Sequence, residues 1–172
     1  AYGVGYDTAG RNLVRLYASP NGRQFDPLVE RLFDQGFPNE ATLLFRKDGA
    51  ALCLLRRDRD PSGALFGLAN PPYRQWRWKD LGVRVGGPNL IGLPDGRVVA
   101  AVRLYQPQPR TALCWLDSEA GTLTEFLPLP SGGDTSYAGL ALHKGRLWVS
   151  YYSSHEGKAC IYLARIRIPR PR

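Results

Sequence analysis

The sequence predicts an all-β protein assembled from repeated four-stranded sheets, and three observations carry that prediction. First, 19 glycines and 14 prolines are spread evenly along 172 residues, which suits many short strands joined by tight turns and not a helical bundle. Second, a pattern recurs: Pro38 through Asp48-Gly49 into Ala51–Arg57, Gly87 through Asp95-Gly96 into Arg97–Arg103, and Ser136 through Lys144-Gly145 into Arg146–Tyr152. The turn glycines Gly49, Gly96 and Gly145 are 47 and 49 residues apart. Third, Asp-Gly or Lys-Gly between two apolar runs marks a β-hairpin, because a tight turn needs positive φ where glycine sits. Four strands per roughly 48 residues is the blade of a β-propeller.

Each element follows from that period. Residues 1–36 read as a partial blade with strand candidates Tyr2–Tyr6, Asn12–Ala18 and Leu28–Leu32 and no opening hairpin strand before them; a helical turn over Asp26–Phe33 is the alternative for the last. Residues 37–85 form a blade whose third run is Ala64–Leu68 and whose fourth ends near Val83. Residues 86–132 repeat it with Thr111–Leu116 and a run ending near Leu127. Residues 133–172 are an incomplete last blade, with a third run Ala159–Leu163 that continues to about Arg165–Ile168. The chain is therefore about three and a half blades of one propeller domain, where six blades would take about 290 residues. Such an arc leaves sheet edges and blade faces uncovered, a liability for a protein in water. Another chain or further N-terminal blades are expected to close it.

Composition narrows the function classes. With 44% apolar and 11% aromatic residues, the chain can bury a core, which excludes intrinsic disorder, and no apolar run approaches the roughly 18 residues of a membrane-spanning helix. A net charge of +8 points to an anionic partner. The arginines are scattered, however, without a basic run, zinc-ligand spacing or nucleic-acid-binding signature, so a small anionic ligand fits and neither nucleic acid nor membrane is expected as a partner. Cys53, Cys114 and Cys160 lie in apolar stretches and are odd in number, which favours buried free thiols over a disulfide. No cofactor or metal site is expected, and the cellular compartment stays open.

Counting from the turns gathers chemistry at one end. Glu40 lies nine residues before Gly49 and Arg56 seven after it, at the open end of the same hairpin; Arg103 lies seven after Gly96, and Tyr137 eight before Gly145. With the first strand of each blade lining the channel, these four side chains converge on one mouth, together with Asp134 and the loop Ser153-Ser154-His155-Glu156. Two arginines, a carboxylate and a phenol can hold a carboxylate or phosphate bidentately and can activate the tyrosine oxygen as a nucleophile.

At these residues the sequence resembles the sialidases, six-bladed propeller glycoside hydrolases, over most of the chain from about residue 11. The carboxylate followed by an apolar strand, an Asp-Gly turn and an arginine is similar to Glu40–Asp48-Gly49–Arg56; the later arginine is similar to Arg103, and the nucleophile to Tyr137 in Thr135-Ser136-Tyr137. Ser19-Pro20-Asn21-Gly22-Arg23-Gln24-Phe25 and Pro71-Pro72-Tyr73-Arg74-Gln75-Trp76 resemble degenerate Asp-box turns. The likeness is greatest to bacterial sialidase-like proteins with the runs Gly133–Tyr137 and Trp148–Gly157. It implies a tyrosine that attacks the anomeric carbon, a glutamate that relays its proton, and three arginines that hold a sugar carboxylate, an exception to the two-carboxylate rule of glycosidases. It also implies an acid/base aspartate and a first arginine from N-terminal blades, a motif that neither Asp7 nor Asp26 fits. The implied ligand is an acidic sugar or glycoconjugate, hydrolysed only when the other blades complete the site. The alternative is a non-catalytic propeller that binds glycan or protein.

Each of these residues also has a plainer role open to it. Arg56 and Arg103 can be structural, with Arg57 the register alternative to Arg56; Tyr137 can be a half-buried channel residue; and a histidine such as His155 in a polar loop is commonly just locally hydrogen-bonded. Trp76, Trp78, Trp115 and Trp148 are expected between blades rather than under a sugar, and Arg165, Arg167, Arg170 and Arg172 on a solvated face and tail.

Overall fold

A computed structural model describes residues 1–7 and 9–169. Fourteen strands run β1 (Tyr2–Tyr6), β2 (Val14–Ala18), β3 (Asp26–Phe33), β4 (Pro38–Phe45), β5 (Ala51–Arg57), β6 (Leu65–Ala69), β7 (Arg77–Asp80), β8 (Val85–Gly92), β9 (Val98–Leu104), β10 (Arg110–Asp117), β11 (Thr122–Pro128), β12 (Thr135–His143), β13 (Arg146–Ser153) and β14 (Cys160–Ile166). They form four antiparallel sheets, β1-β2-β3, β4-β5-β6-β7, β8-β9-β10-β11 and β12-β13-β14. No helix occurs among the described residues. Asp26–Phe33 is thus a strand and not a helical turn, because it pairs with β2 through Val14–Phe33 and Leu16–Val29.

Local chemistry sets the hairpins. Gly49 and Gly96 have φ of 85° and 89°, and each closes a loop whose first amide bonds the fifth residue's carbonyl (Arg46 to Ala50, Leu93 to Arg97). In the last blade Lys144 and Gly145, at 46° and 70°, make a two-residue turn between paired His143 and Arg146. Positive φ at both central positions matches the twist of the flanking strands. The Ser19–Phe25 turn is held from within, with Ser19 Oγ accepting from the Gly22 amide at 2.8 Å and Asn21 Oδ1 from the Arg23 amide at 2.9 Å.

The blades stack through three apolar layers. Val14, Leu16 and Leu32 meet Cys53, Leu55 and Leu65 between the first two sheets. Leu52, Leu54 and Phe66 meet Val85, Ala100 and Val102 between the second and third. Val99, Ala101 and Leu113 meet Leu147, Val149 and Tyr151 between the third and fourth. A strand whose two faces are both covered by neighbouring sheets reads as a continuous apolar run. Ala51–Leu55 and Val98–Val102 are such strands, buried throughout.

β4, β8 and β12 lie beside one another and begin at the same end of the molecule, here called the mouth. β1 runs the other way, ending at the mouth like β5, since Tyr6 and Asp7 share a cavity with Glu40 and Arg56. It thus holds a second-strand position, next to β4.

Some side chains depart from expectation. All three cysteines are free, but Cys160 is only half-buried because β14 is a sheet edge. Trp76 and Trp78, stacked on each other, and Trp115, stacked on Phe126, are half-buried against the layers between blades as expected, whereas Trp148 belongs to none of these layers and lies under Arg165. Arg165 and Arg167 are exposed, as expected, while Arg170 and Arg172 lie outside the described residues.

Candidate functional site

The first strand of each complete hairpin carries a β-bulge just inside the mouth. Two residues oppose one in each case, between Pro38 and Ala41, Gly86 and Asn89, and Ser136 and Gly139. A bulge breaks the alternation of side chains and re-aims them. The bulges contain Glu40, Gly87 and Tyr137. Gly87 (φ 49°) has no room for a side chain, because a Cβ would stand 2.0 Å from Ser136 Oγ and 2.9 Å from the Tyr137 nitrogen. Tyr137 itself adopts φ 50°, a costly conformation for a bulky residue, and the residue is 58% exposed.

These bulges join Glu40 and Tyr137 across 97 residues: the Tyr137 hydroxyl donates a hydrogen bond to Glu40 Oε1. The other carboxylate oxygen accepts from Arg56 Nη1 at 2.9 Å and from the Gly87 amide at 2.9 Å. Burial works to raise the Glu40 pKa, but the bonds from Tyr137, Arg56 and Gly87 outweigh it and hold the carboxyl below its usual range. The hydrogen bond to Glu40, with partial burial, pushes the Tyr137 phenol up to about 12. In this arrangement the carboxylate is the nearest acceptor for the phenol proton.

The arginines extend the cluster on both sides. Arg56 also bonds Asp58 at 3.0 Å, which Arg84 reaches at 3.0 Å while lying over the Tyr105 ring. Arg57 turns the other way, toward Asp80, the Gly63 carbonyl and the Phe33 ring, and is buried. Arg56 is therefore the arginine beside Glu40. Arg103 Nη2 bonds Asp134 Oδ1 and the Tyr152 hydroxyl, each at 2.8 Å, and its Nε bonds the Thr135 carbonyl. Tyr152 donates to Asp134 at 2.6 Å and stacks against Tyr137 with ring centroids 6.1 Å apart. A continuous chain of contacts thus runs from Asp58 through Arg56, Glu40, Tyr137 and Tyr152 to Arg103 and Asp134.

His155 stays outside it. The ring bonds Ser153 Oγ at 2.9 Å through Nδ1 and leans on Tyr162, because its loop folds back on β12 through the Ser154 amide and the Asp134 carbonyl. His155 therefore makes no hydrogen bond to Glu40, Tyr137, Arg56 or Arg103 among the described residues. Conversely, Asp7, Asp58, Arg84, Tyr105 and Tyr152 belong to the mouth and were not singled out by sequence. Tyr152 was legible, since it pairs with Ser136 in the repeat register; Asp7 was not, since no hairpin count reaches it. The Asp7 carboxylate accepts from the Ala9 amide and from Arg11, which hold its pKa down, so it is a poor proton donor.

No protein-family profile and no curated protein matches this chain. Solved structures do. An endo-1,4-β-xylanase of Bacteroides thetaiotaomicron superimposes with a TM-score of 0.70 at 10% identity, covering 99% of this chain and 66% of that one. An exo-β-1,3-galactanase of Phanerochaete chrysosporium bound to β-1,3-galactotriose gives 0.68 at 12% identity, over 95% of this chain and 44% of that one. A GH43 β-1,3-galactosidase bound to galactodeoxynojirimycin gives 0.62 at 12% identity, over 90% and 65%. The chain shares its β-propeller fold with these neighbours and spans 44–66% of their length.

Proposed function

We propose that this chain is a segment of a sialidase-like glycoside hydrolase that binds an acidic, carboxylated sugar at the channel mouth. The observation that carries the reading is the Tyr137 hydroxyl donating to an ionised Glu40, with the phenol exposed at the mouth. In the complete propeller Tyr137 oxygen attacks the anomeric carbon, Glu40 takes the phenol proton, and the glycosidic bond breaks. Water then displaces the tyrosine by the reverse route, so configuration is retained. A phenol suits this substrate because a carboxylate nucleophile would be repelled by the sugar's own carboxylate. Arg103 Nη1 has no partner among the described residues. It and Arg56 are the donors for that carboxylate, with Asp134 placing Arg103. The leaving-group acid and a third arginine are expected from further blades.

A second reading, a propeller that binds glycan without turnover, is favoured by one fact: Arg56 and Arg103 are already paired with Glu40, Asp58 and Asp134. Two measurements separate the readings. N-acetylneuraminic acid titrated into the 172-residue protein is expected to shift the Tyr137 and Arg103 resonances, with affinity falling about tenfold in Arg103→Met and no response to neutral galactose. In the protein completed by its other blades, Tyr137→Phe is expected to abolish turnover of an aryl sialoside and leave the circular dichroism unchanged. Unchanged turnover rejects the nucleophile, and binding without any turnover supports the second reading.

A further inference from the structure

The turns of Gly49, Gly96 and Gly145 stand at the end of the molecule away from the mouth, and they leave two clefts between them. One lies between the β4–β5 and β8–β9 turns, encloses about 530 Å³ and is lined by Leu44, Phe45, Ile91, Leu93 and Val98. The other lies between the β8–β9 and β12–β13 turns, encloses about 410 Å³ and is lined by Leu93, Pro94, Leu142, Ile168 and Pro169. Leu93 and Pro94 belong to both, so the clefts adjoin at the root of the β8–β9 turn. Phe45 and Leu142 are 41% and 37% exposed. Sheets of this chain supply both walls of each cleft, so neither needs a further blade to form it.

Charge around these clefts is one-sided. The three turns carry Arg46, Lys47, Arg97, Lys144 and Arg146 against two carboxylates, Asp48 and Asp95. Both carboxylates are engaged within their own turns, Asp48 with Arg46 and Asp95 with Arg97, each at 2.7 Å. Lys47, on the first cleft, and Lys144, on the second, pair with no carboxylate among the described residues, and neither does Arg146. At the mouth, by contrast, Arg56, Arg84 and Arg103 are each paired with Glu40, Asp58 or Asp134. Uncompensated positive charge therefore gathers beside the apolar clefts. Apolar recesses rimmed by one sign of charge select a partner that brings apolar side chains and the opposite charge.

We propose that the turn end docks an extended acidic peptide segment of a partner protein, with one large apolar side chain in each cleft and carboxylates beside Lys47 and Lys144. The stretch between the two anchors is small and uncharged, because it passes Leu93 and Pro94 alongside the already paired Asp95 and Arg97. Separate recesses on either side of a turn take discrete side chains, which a flat lipid surface does not offer. The surface lies at the opposite end from Glu40 and Tyr137, so its occupant leaves the mouth open. The inference does not depend on what the mouth binds.

The test titrates the 172-residue protein with end-blocked synthetic peptides in which two leucines, each next to a glutamate, are joined by Gly-Ser linkers of increasing length. Binding is followed by NMR of labelled methyl groups. At one or more linker lengths the Ile91, Leu93 and Leu142 methyls are expected to shift together, with the Tyr137 ring unmoved. Affinity is expected to fall at least about tenfold in Lys47→Glu combined with Lys144→Glu, and to weaken as salt is raised. Leu142→Asp sets a carboxylate in the second cleft and is expected to weaken binding as much, with the circular dichroism unchanged. Peptides with serine in place of leucine are expected not to bind. Absence of binding at every linker length, equal binding by the serine peptides, or shifts confined to the mouth would each overturn the proposal. Phosphatidylserine vesicles that sediment the protein while no leucine peptide binds would assign this end to a lipid surface and overturn this occupant.

Discussion

Three donors, Tyr137, Arg56 and the Gly87 amide, meet at the Glu40 carboxylate, and its charge sets the chemistry around it. A carboxyl whose folded pKa is depressed adds stability that is present above its unfolded pKa and is lost as pH falls through the folded value. Glu40→Gln is therefore expected to cost about 1–2 kcal/mol at neutral pH, with a shallower loss of urea resistance on the acid side. The same change removes the charge that opposes phenolate formation, so the Tyr137 pKa should fall from about 12 toward that of an ordinary phenol, as read from NMR of the labelled ring. Thiol reactivity is set by burial. Desolvation raises the Cys53 thiol well above its normal range and the Cys114 thiol to about 12, while Cys160 is only half-buried. A thiol reagent added to the native protein is expected to modify Cys160 alone, with Cys53 and Cys114 reacting only after unfolding.

At the scale of strands, the bulges decide what reaches the mouth. Apolar alternation fixes which face of β4, β8 and β12 meets a neighbouring blade, but one extra residue in each strand turns Glu40 and Tyr137 out of that alternation and toward each other. Gly87 permits the approach. A Cβ at this position would collide with Ser136 and the Tyr137 nitrogen and would also force an L residue into positive φ. Gly87→Ala is expected to destabilise the protein by about 2 kcal/mol or more in urea unfolding. It should also lengthen the Tyr137–Glu40 contact, which would appear as a lower Tyr137 pKa. The equivalent change at Gly96, where a Cβ meets nothing within 4 Å, carries only the backbone strain and is expected to leave Tyr137 untouched.

Across the whole molecule, the two outer sheets differ from the inner two in having only one covered face. On the last sheet Ile161 and Leu163 are 80% and 66% exposed, on the same side of β14 as Arg165 and Arg167. Ile161→Lys with Leu163→Lys is expected to reduce concentration-dependent association in sedimentation while changing stability by no more than about 0.5 kcal/mol, because neither side chain packs in the core. The repeat of turn glycines was enough to read four successive antiparallel sheets, since a primed or glycine-closed turn and two flanking apolar runs are local chemistry. That count also put Glu40, Arg56, Arg103, Tyr137 and Asp134 at one end. It could not show that Arg57 turns toward Asp80 while Arg56 meets Glu40, because adjacent strand residues face opposite sheets and register at a bulge is set by the partner strand. Nor could it place His155 against Ser153 and Tyr162, or bring Asp7 beside Glu40. The sequence by itself determined strand order, turn positions and the end of the molecule where the chemistry lies. The stacking of blades decided which side chains touch there, because contacts between residues 97 positions apart depend on how neighbouring sheets pack and not on any spacing along one strand.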